Sequence, residues 1–430
     1  MQFYSLNQQS PKVNFKEAVI RGIAPDKGLY FPSTISPINK EIFAQIDKYS
    51  NEDIAFEMIR QFVGDDIPDT DLKEIIQDTL CFDFPLVEVE NNIFSLELFH
   101  GPTMAFKDVG GRFMARCLSY FNKKQTNEVT VLVATSGDTG GAVASGFLGV
   151  KGVNVVILYP SGKVSEVQEK QLTTLGQNIK ALEVDGTFDD CQAMVKQAFI
   201  DKEITDQMQL TSANSINVAR WLPQMFYFAF AYKQLKDRSK QLVFSTPSGN
   251  FGNICAGFMA QQLGLPVSHF IAATNANKVV PNFMESGKYE PLKSVATISN
   301  AMDVGDPSNF IRIRKIFKDN FNRIRKNLSS FSYSDYQTRE AMQEVYTLTG
   351  YIMDPHGAVG YLGLKQYLKK QDKAQGIFLE TAHPIKFLDV VEPIIKKAIP
   401  FPPQIKEIMP RKKVATSIST YEELKEFLLT

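Results

Sequence analysis

The sequence predicts an α/β protein: two parallel-sheet domains behind a helical N-terminal segment. Three observations carry this expectation. The first eighty residues place apolar side chains at helical spacing. From about residue 129 short apolar runs alternate with loops and amphipathic stretches, and near residue 241 that rhythm starts again. Strands and helices in alternation imply parallel sheets with helices on both faces. The expected boundaries are residues 1–90 for the helical segment, 91–240 for the first α/β domain and 241–430 for the second.

Each element has its own signal. "FKEAVIRGI", "NEDIAFEMIRQFVG" and "DLKEIIQDTL" read as helices, and "PLVEVENNIFSLELFH" alternates around Asn91-Asn92 as a β-hairpin. "VTVLVA" is a buried-strand run, followed by the loop "TSGDTGG" and the helix "AVASGFLG". "VNVVILYP" and "IKALEVDG" are further strands, with helices across "VSEVQEKQLTTLG" and "FDDCQAMVKQAFID". "INVARWLPQMFYFAFAYKQL" is a long apolar helical stretch broken at Pro223. The second round runs "QLVFSTP", "SGNFGN", a helix, "VSHFIAATN" and, late in the chain, the strand "GIFLETAHP". Beyond "IPFPPQIKEIMPRKK" the tail is expected to wrap the surface and end in the short helix "YEELKEFLL".

Composition excludes several function classes. Lys+Arg and Asp+Glu both number 47 in 430 residues, so the formal net charge is zero and no nucleic-acid surface or polybasic membrane patch is expected. Cys81, Cys117, Cys191 and Cys255 lie far apart without CxxC spacing, which argues against a disulfide framework and a structural zinc. His100, His269, His356 and His383 share no metal-ligand spacing, so no metal is expected. No signal peptide is readable, and no stretch approaches the roughly 18 apolar residues of a membrane span. A cytoplasmic protein is the expectation.

The chemistry concentrates in three loops. "TSGDTGG" (135–141) and "PSGNFGN" (247–253) each follow an apolar strand and open a helix. Glycines there let backbone N–H groups converge, and a helix N-terminus adds positive potential, which together suit an anion. Ser-Gly-Asp and Ser-Gly-Asn are also good turns and caps for purely structural reasons. GxGxxG, GxxxxGK[ST] and GxSxG are all missing, which disfavours a dinucleotide, a nucleoside triphosphate and a nucleophile elbow. The third loop, "HGPTMAFKDVGG", carries Lys107 after an apolar pair and just before two glycines. A cation at a helix start opposes the macrodipole. Among apolar groups its amine loses a proton more easily, and a neutral amine is what carbonyl capture requires. From the residues alone, Lys107 is either a snorkelling surface lysine or the reactive amine of a pyridoxal phosphate enzyme.

The blocks "FHGPTMAFKDVGGRFMAR", "ATSGDTGGAV", "SANSINVARWLPQ", "PSGNFGN", "FIAATNANKVVPNF", "SNAMDVGDPSNF", "DPHGAVGY" and "TAHPIKF" together resemble the threonine synthase family. "NFKEAVIRGIAPDKGLYFP" is similar to the start of its longer, microbial type, so the resemblance spans nearly the whole chain. It departs conservatively, as at Gly141. The resemblance implies the tryptophan synthase β-like fold (fold type II), with pyridoxal 5'-phosphate between two α/β domains. Lys107 then matches the Schiff-base lysine, and Gly249, Asn250, Phe251 and Asn253 match the cup for the cofactor phosphate. Thr381 matches the hydroxyl facing the pyridine nitrogen, while Ser136, Asp138 and Thr139 match the loop near the substrate carboxylate and the cofactor's ring oxygen.

The reaction so implied converts O-phospho-L-homoserine and water to L-threonine and phosphate, with Lys107 as the base at Cα. The substrate phosphate needs its own pocket. Candidates are Arg112, Arg220 and Lys278, with Ser212, Asn214 and Asn217 as hydrogen-bond partners. His100 either packs near the ring or is a hydrogen-bonded loop histidine. A phospho-lyase giving 2-oxobutyrate and a serine/threonine dehydratase share this fold and are the alternatives; a catalytically silent binding protein is disfavoured by Lys107, "GNFGN" and Thr381. A monomer is expected of the longer type.

Overall fold

The computed structural model of the chain describes residues 1–123, 128–371 and 373–430. The N-terminal segment contains the expected helices, Phe15–Arg21, Asn51–Val63 and Asp69–Thr79, and a further one at Lys40–Ala44. Ser50 and Asp53 form a capping box that satisfies the first free N–H groups of Asn51–Val63. That helix then turns Ile54, Ile59 and Phe62 into the largest core cluster. Threaded among these helices is an antiparallel pair, β1 (Phe3–Ser5) and β2 (Tyr30–Pro32), which periodicity did not suggest because three residues are too few to show a period of two.

The hairpin β3 (Leu86–Glu90) and β4 (Ile93–Glu97) turns through Asn92, whose φ of 63° is the left-handed conformation that asparagine tolerates. Next come β5 (Val129–Ala134), β6 (Val153–Pro160), β7 (Ile179–Val184) and the short β8 (Gln209–Ser212). The second round supplies β9 (Gln241–Pro247), β10 (His269–Thr274), β11 (Leu328–Ser332) and β12 (Ala374–Glu380), and the tail adds β13 (Thr416–Ile418). One sheet has the order β13-β7-β6-β5-β8, all parallel. The other has the order β11-β10-β9-β12-β4-β3, parallel except for the hairpin.

This topology corrects the contiguous boundaries at 91 and 241. The strand β4 lies beside β12, with Leu96 opposite Leu379, so the hairpin belongs to the second sheet. The tail strand β13 returns to the first sheet beside β7. The first crossing buries apolar side chains: Leu96 within β4 and Leu98 just beyond it are both covered.

The apolar stretch expected to break at Pro223 does so: Val218–Trp221 and Met225–Gln234 are joined by a 3₁₀ turn at Leu222–Gln224. Phe226, Phe228 and Phe230 are buried all round this helix, and Phe228 meets Phe244 and Phe270 edge-on across the sheet. Helix Lys107–Asn122 crosses its neighbours at unusually close range, because Gly110 abuts the Arg220 carbonyl and Gly111 abuts that of Ala142. The tail ends in helix Tyr421–Leu429, opened by a Thr420–Glu423 capping box and docked through Leu424 and Leu428.

Candidate active site

The Lys107 loop leaves β4 and is stitched to the segment after β12. Leu98 N–H donates to the Glu380 carbonyl at 2.9 Å, Phe106 N–H to the Thr381 carbonyl at 2.9 Å, and His383 N–H to the Met104 carbonyl at 3.0 Å. Within the loop, the Thr103 N–H and hydroxyl both donate to Asp108, at 2.9 and 2.5 Å. Burial pushes the Asp108 carboxyl up, against the pull of those two donors. Lys107 is the first residue of its helix, and its Nζ lies 5.5 Å from the Phe106 ring centroid. Burial lowers the pKa of its amine; Asp138 works against that shift, whereas Lys386 and Arg220 add to it.

The loop after β5 is built on Thr135, whose hydroxyl accepts from the N–H groups of Gly137 (2.9 Å) and Gly140 (2.8 Å). Gly137 has φ 131°, and a Cβ there would fall 2.4 Å from the Gln168 side chain, so only glycine serves. Asp138 opens helix Asp138–Phe147 and is buried. Its carboxylate meets Lys386 Nζ at 2.6 Å and accepts from Gln168 Nε2 at 3.0 Å. Burial alone would raise its pKa, yet Lys386 and Lys107 hold it well below the usual carboxylate range. The hydroxyls of Ser136 and Thr139, both half-buried, have no protein hydrogen-bond partner among the described residues.

The loop after β9 is a cup of backbone donors. Phe251 adopts the left-handed conformation (φ 61°) at the cap of helix Gly252–Gln262. Gly249 is held so close to residues 301–302 that a Cβ would lie 2.8 Å from the Ala301 carbonyl. The Asn253 side chain is spent on the loop itself, donating to the Pro247 carbonyl and accepting from Ile254 N–H, both at 2.8 Å. Asn250 Oδ1 is turned to Ser308, whose N–H and hydroxyl reach it at 3.4 Å. Among the described residues no protein acceptor takes the N–H groups of residues 249–253. Spare N–H groups at a helix start are the donor set a phosphate requires, so the cup fits the cofactor's phosphate. The Thr381 hydroxyl, buried at the end of β12, also has no protein partner among the described residues.

The substrate-phosphate candidates separate. Arg112 donates to the Asp78 carbonyl at 2.7 Å and to its carboxylate at 3.2 Å, so it serves the N-terminal helices and is not brought to Lys107. Asn217 caps helix Val218–Trp221 and donates to the Val19 carbonyl at 2.9 Å, which makes it a tether to the N-terminal segment. Arg220 is buried, with Nη1 on the Ala213 carbonyl and Nε unpartnered; burial lowers its pKa to about 10. Ser212 is buried and accepts from Asn214 N–H at 3.3 Å, while Asn214 is half-buried on a segment that meets the cup where Ser215 faces Gly252. Lys278 is exposed beyond β10. His100 is half exposed and pairs with Glu97 at 2.7 Å, the loop-histidine reading.

Sequence reasoning missed Lys386 and Gln168, which surround Asp138. The block "TAHPIKF" contained the one signal for Lys386, a lysine between isoleucine and phenylalanine as Lys107 lies among apolar neighbours. It also missed a buried cluster behind β12, where His356 Nδ1 meets Asp354 at 2.5 Å and Glu380 accepts from Asp354 N–H at 3.0 Å. Burial, with Asp354 beside it, pushes the Glu380 carboxyl well above the ordinary range.

A partly desolvated lysine, a cup of spare donors after one parallel strand and an unpartnered hydroxyl after another define the class of pyridoxal-phosphate enzymes built on paired α/β sheets. The family model described as "Pyridoxal-phosphate dependent enzyme" matches residues 75–378. The flanks narrow the class: "Threonine synthase N terminus" matches residues 2–80 and "Threonine synthase, C-terminal" residues 357–428. The chain belongs to the threonine synthase family, whose members are pyridoxal-phosphate-dependent lyases. It is 44% identical to the threonine synthase of Serratia marcescens over 437 residues, covering 100% of this chain and 99% of that one. The crystal structure of threonine synthase from Escherichia coli superposes with a TM-score of 0.93 at 41% identity, covering 100% of this chain and 99% of that one. The PLP-bound threonine synthase of Brucella melitensis gives 0.93 at 33% identity, with 100% and 98% covered.

Proposed function

We propose that the cleft between the two sheets converts O-phospho-L-homoserine and water to L-threonine and phosphate, with Lys107 as the working amine. The observation that carries the assignment is the Lys107 loop: its backbone is bonded to the Thr381 carbonyl, and burial biases its amine toward the neutral form. Pyridoxal phosphate, when bound, supplies the electron sink for charge developing at the substrate. The protein's part is binding and proton transfer. The spare N–H groups of residues 249–253 would hold the cofactor phosphate, and the Thr381 hydroxyl would be a neutral partner for the pyridine nitrogen, leaving it less protonated than a carboxylate would. Ser136 and Thr139, with the N-terminus of helix Asp138–Phe147, receive the substrate carboxylate. Lys107 Nζ would take protons from Cα and then from Cβ as phosphate leaves Cγ; protons return to Cγ and finally to Cα, and water adds its hydroxyl at Cβ while its proton goes with the released phosphate. Closure on the substrate excludes bulk water from the competing exits.

For the substrate phosphate, Arg220, Lys278, Ser212 and Asn214 remain, since Arg112 and Asn217 are committed elsewhere. The balanced charge supports a site with no nucleic-acid partner. No helix of the described residues is long and apolar enough to cross a membrane, and the proposed compartment is the cytoplasm. The proposed working unit is the monomer, which light scattering of the holoenzyme checks.

The test is an absorbance spectrum of the purified protein and of Lys107→Ala, each before and after O-phosphohomoserine, with products assayed. The expected result is a visible band that requires Lys107, and threonine and phosphate in equal amounts. Lys107→Ala should lose turnover by about 10²–10⁴-fold or more. Formation of 2-oxobutyrate in place of threonine would point to the phospho-lyase.

A further inference from the structure

Lys386 has none of its side chain exposed, and no step above uses it. It lies in the turn Pro384–Phe387 that follows β12 and so belongs to the second sheet. Its ammonium donates to the Thr103 carbonyl at 2.8 Å and meets Asp138 Oδ1 at 2.6 Å. Thr103 belongs to the Lys107 loop, and Asp138 opens the helix after β5 of the first sheet. One cation thus ties together three loops from two sheets. Taking an ammonium and a carboxylate out of water is costly, and well-packed apolar residues often stabilise a fold as well as a buried pair. Stability alone does not explain why both charges stand here.

The charges around Lys107 suggest what the pair does. The charges that act on its amine are Asp138, Lys386, which is itself 2.6 Å from Asp138, and, from helix Val218–Trp221, Arg220. Asp108, the next residue along the helix, is occupied by the two Thr103 donors. Of these groups only Asp138 favours a protonated Lys107; Lys386 and Arg220 oppose it. The remaining partner of Asp138, Gln168, is neutral and cannot cancel the carboxylate's charge.

We propose that Lys386 is a positioning residue for Lys107: by engaging Asp138 and the Thr103 carbonyl, it withholds the carboxylate from the working amine and docks the Lys107 loop against the Asp138 loop. The proposal rests on Lys107 being that amine.

The test is spectroscopic. The full-length protein, freed of cofactor, is titrated with pyridoxal phosphate across pH, and the visible band of lysine-bound cofactor is followed. Lys386→Met leaves Asp138 as the unpaired neighbour of Lys107. The pH midpoint for band formation should then rise by about one unit, which is about tenfold slower capture on the acid side of the midpoint. Lys386→Met combined with Asp138→Asn removes both charges and should bring the midpoint back toward the parent value; Lys386→Arg should stay near it. Asp138→Asn alone should move the midpoint down, and it serves as an independent reading should Lys386→Met not fold. A Lys386→Met midpoint equal to the parent's, or an Asp138→Asn midpoint that does not fall, overturns the proposal. A band that persists in Lys107→Ala would take down the underlying assignment and the proposal together, whereas an unshifted midpoint with no band in Lys107→Ala sinks the proposal alone.

Discussion

At the scale of single residues, identity and local setting revealed the kind of chemistry but not the partners. Lys107 stood out because a lysine among apolar neighbours at a helix start is electrostatically unfavourable. Arg112, five residues on, carries the same kind of charge in the same block, yet it is committed to Asp78. No spacing rule separates the two, because Asp78 lies on a different helix and meets Arg112 only after folding. The histidines give a second residue-scale case. His269 stacks on Tyr367 with ring centroids 4.7 Å apart and reaches Ser329 at 2.9 Å; burial lowers its pKa from 6.5 to about 4. His383 is likewise lowered to about 4, by burial and then by His100. The unfolded chain binds these protons below about pH 6.5 while the folded chain does not, so unfolding takes up protons there. Their contribution to stability is complete above pH 6.5 and is lost as the pH falls toward 4, by at most a few kcal/mol for each. Urea midpoints measured across that range should fall with pH, and His269→Gln should flatten the slope.

At the scale of elements, long periodic stretches were legible and short ones were not. The helices Asn51–Val63 and Met225–Gln234 and the strand runs of β5, β6, β9 and β12 follow from apolar pattern and length. The strands β1, β2, β8 and β13 have three or four residues each, and their apolar members are covered by other parts of the chain. The paired glycines after Lys107 acquire their reason only from packing. A Cβ at Gly110 would sit 2.4 Å from the Arg220 carbonyl oxygen, a backbone atom that cannot swing aside. Gly110→Ala should therefore push helix Lys107–Asn122 away from Val218–Trp221 and cost about 1–3 kcal/mol of stability. Urea denaturation measures that cost, and weakened cofactor affinity should accompany it, since the displaced helix carries Lys107.

At the scale of the whole molecule, the helical first eighty residues are part of the core. Phe3, Phe15, Val19, Ile59 and Phe62 join the same cluster as Trp221 and Phe226. The buried Arg312 stacks 4.2 Å over Trp221 and donates to the Tyr30 carbonyl at 2.9 Å and the Ile216 carbonyl at 2.7 Å. Asn217 adds a bond to Val19. The segment is thus built into the same core as the α/β domains. Deleting residues 1–80 should yield a chain that aggregates or loses its cooperative thermal transition, measured by calorimetry and light scattering. A soluble truncated chain with unchanged turnover would refute this.

The sequence by itself determined the α/β class and the loops that follow the apolar strands, and it narrowed Lys107 to two readings, a surface lysine or a reactive amine. Those depend on local pattern: period, turn residues, and a charge in an apolar setting. Tertiary structure alone decided that β4 joins the second sheet and β13 the first, that Arg112 pairs with Asp78, and that Lys386 meets Asp138. The physical reason is that ion pairs, sheet neighbours and desolvation are set by distance in space, and residues 138 and 386 become neighbours only when two sheets close on one another.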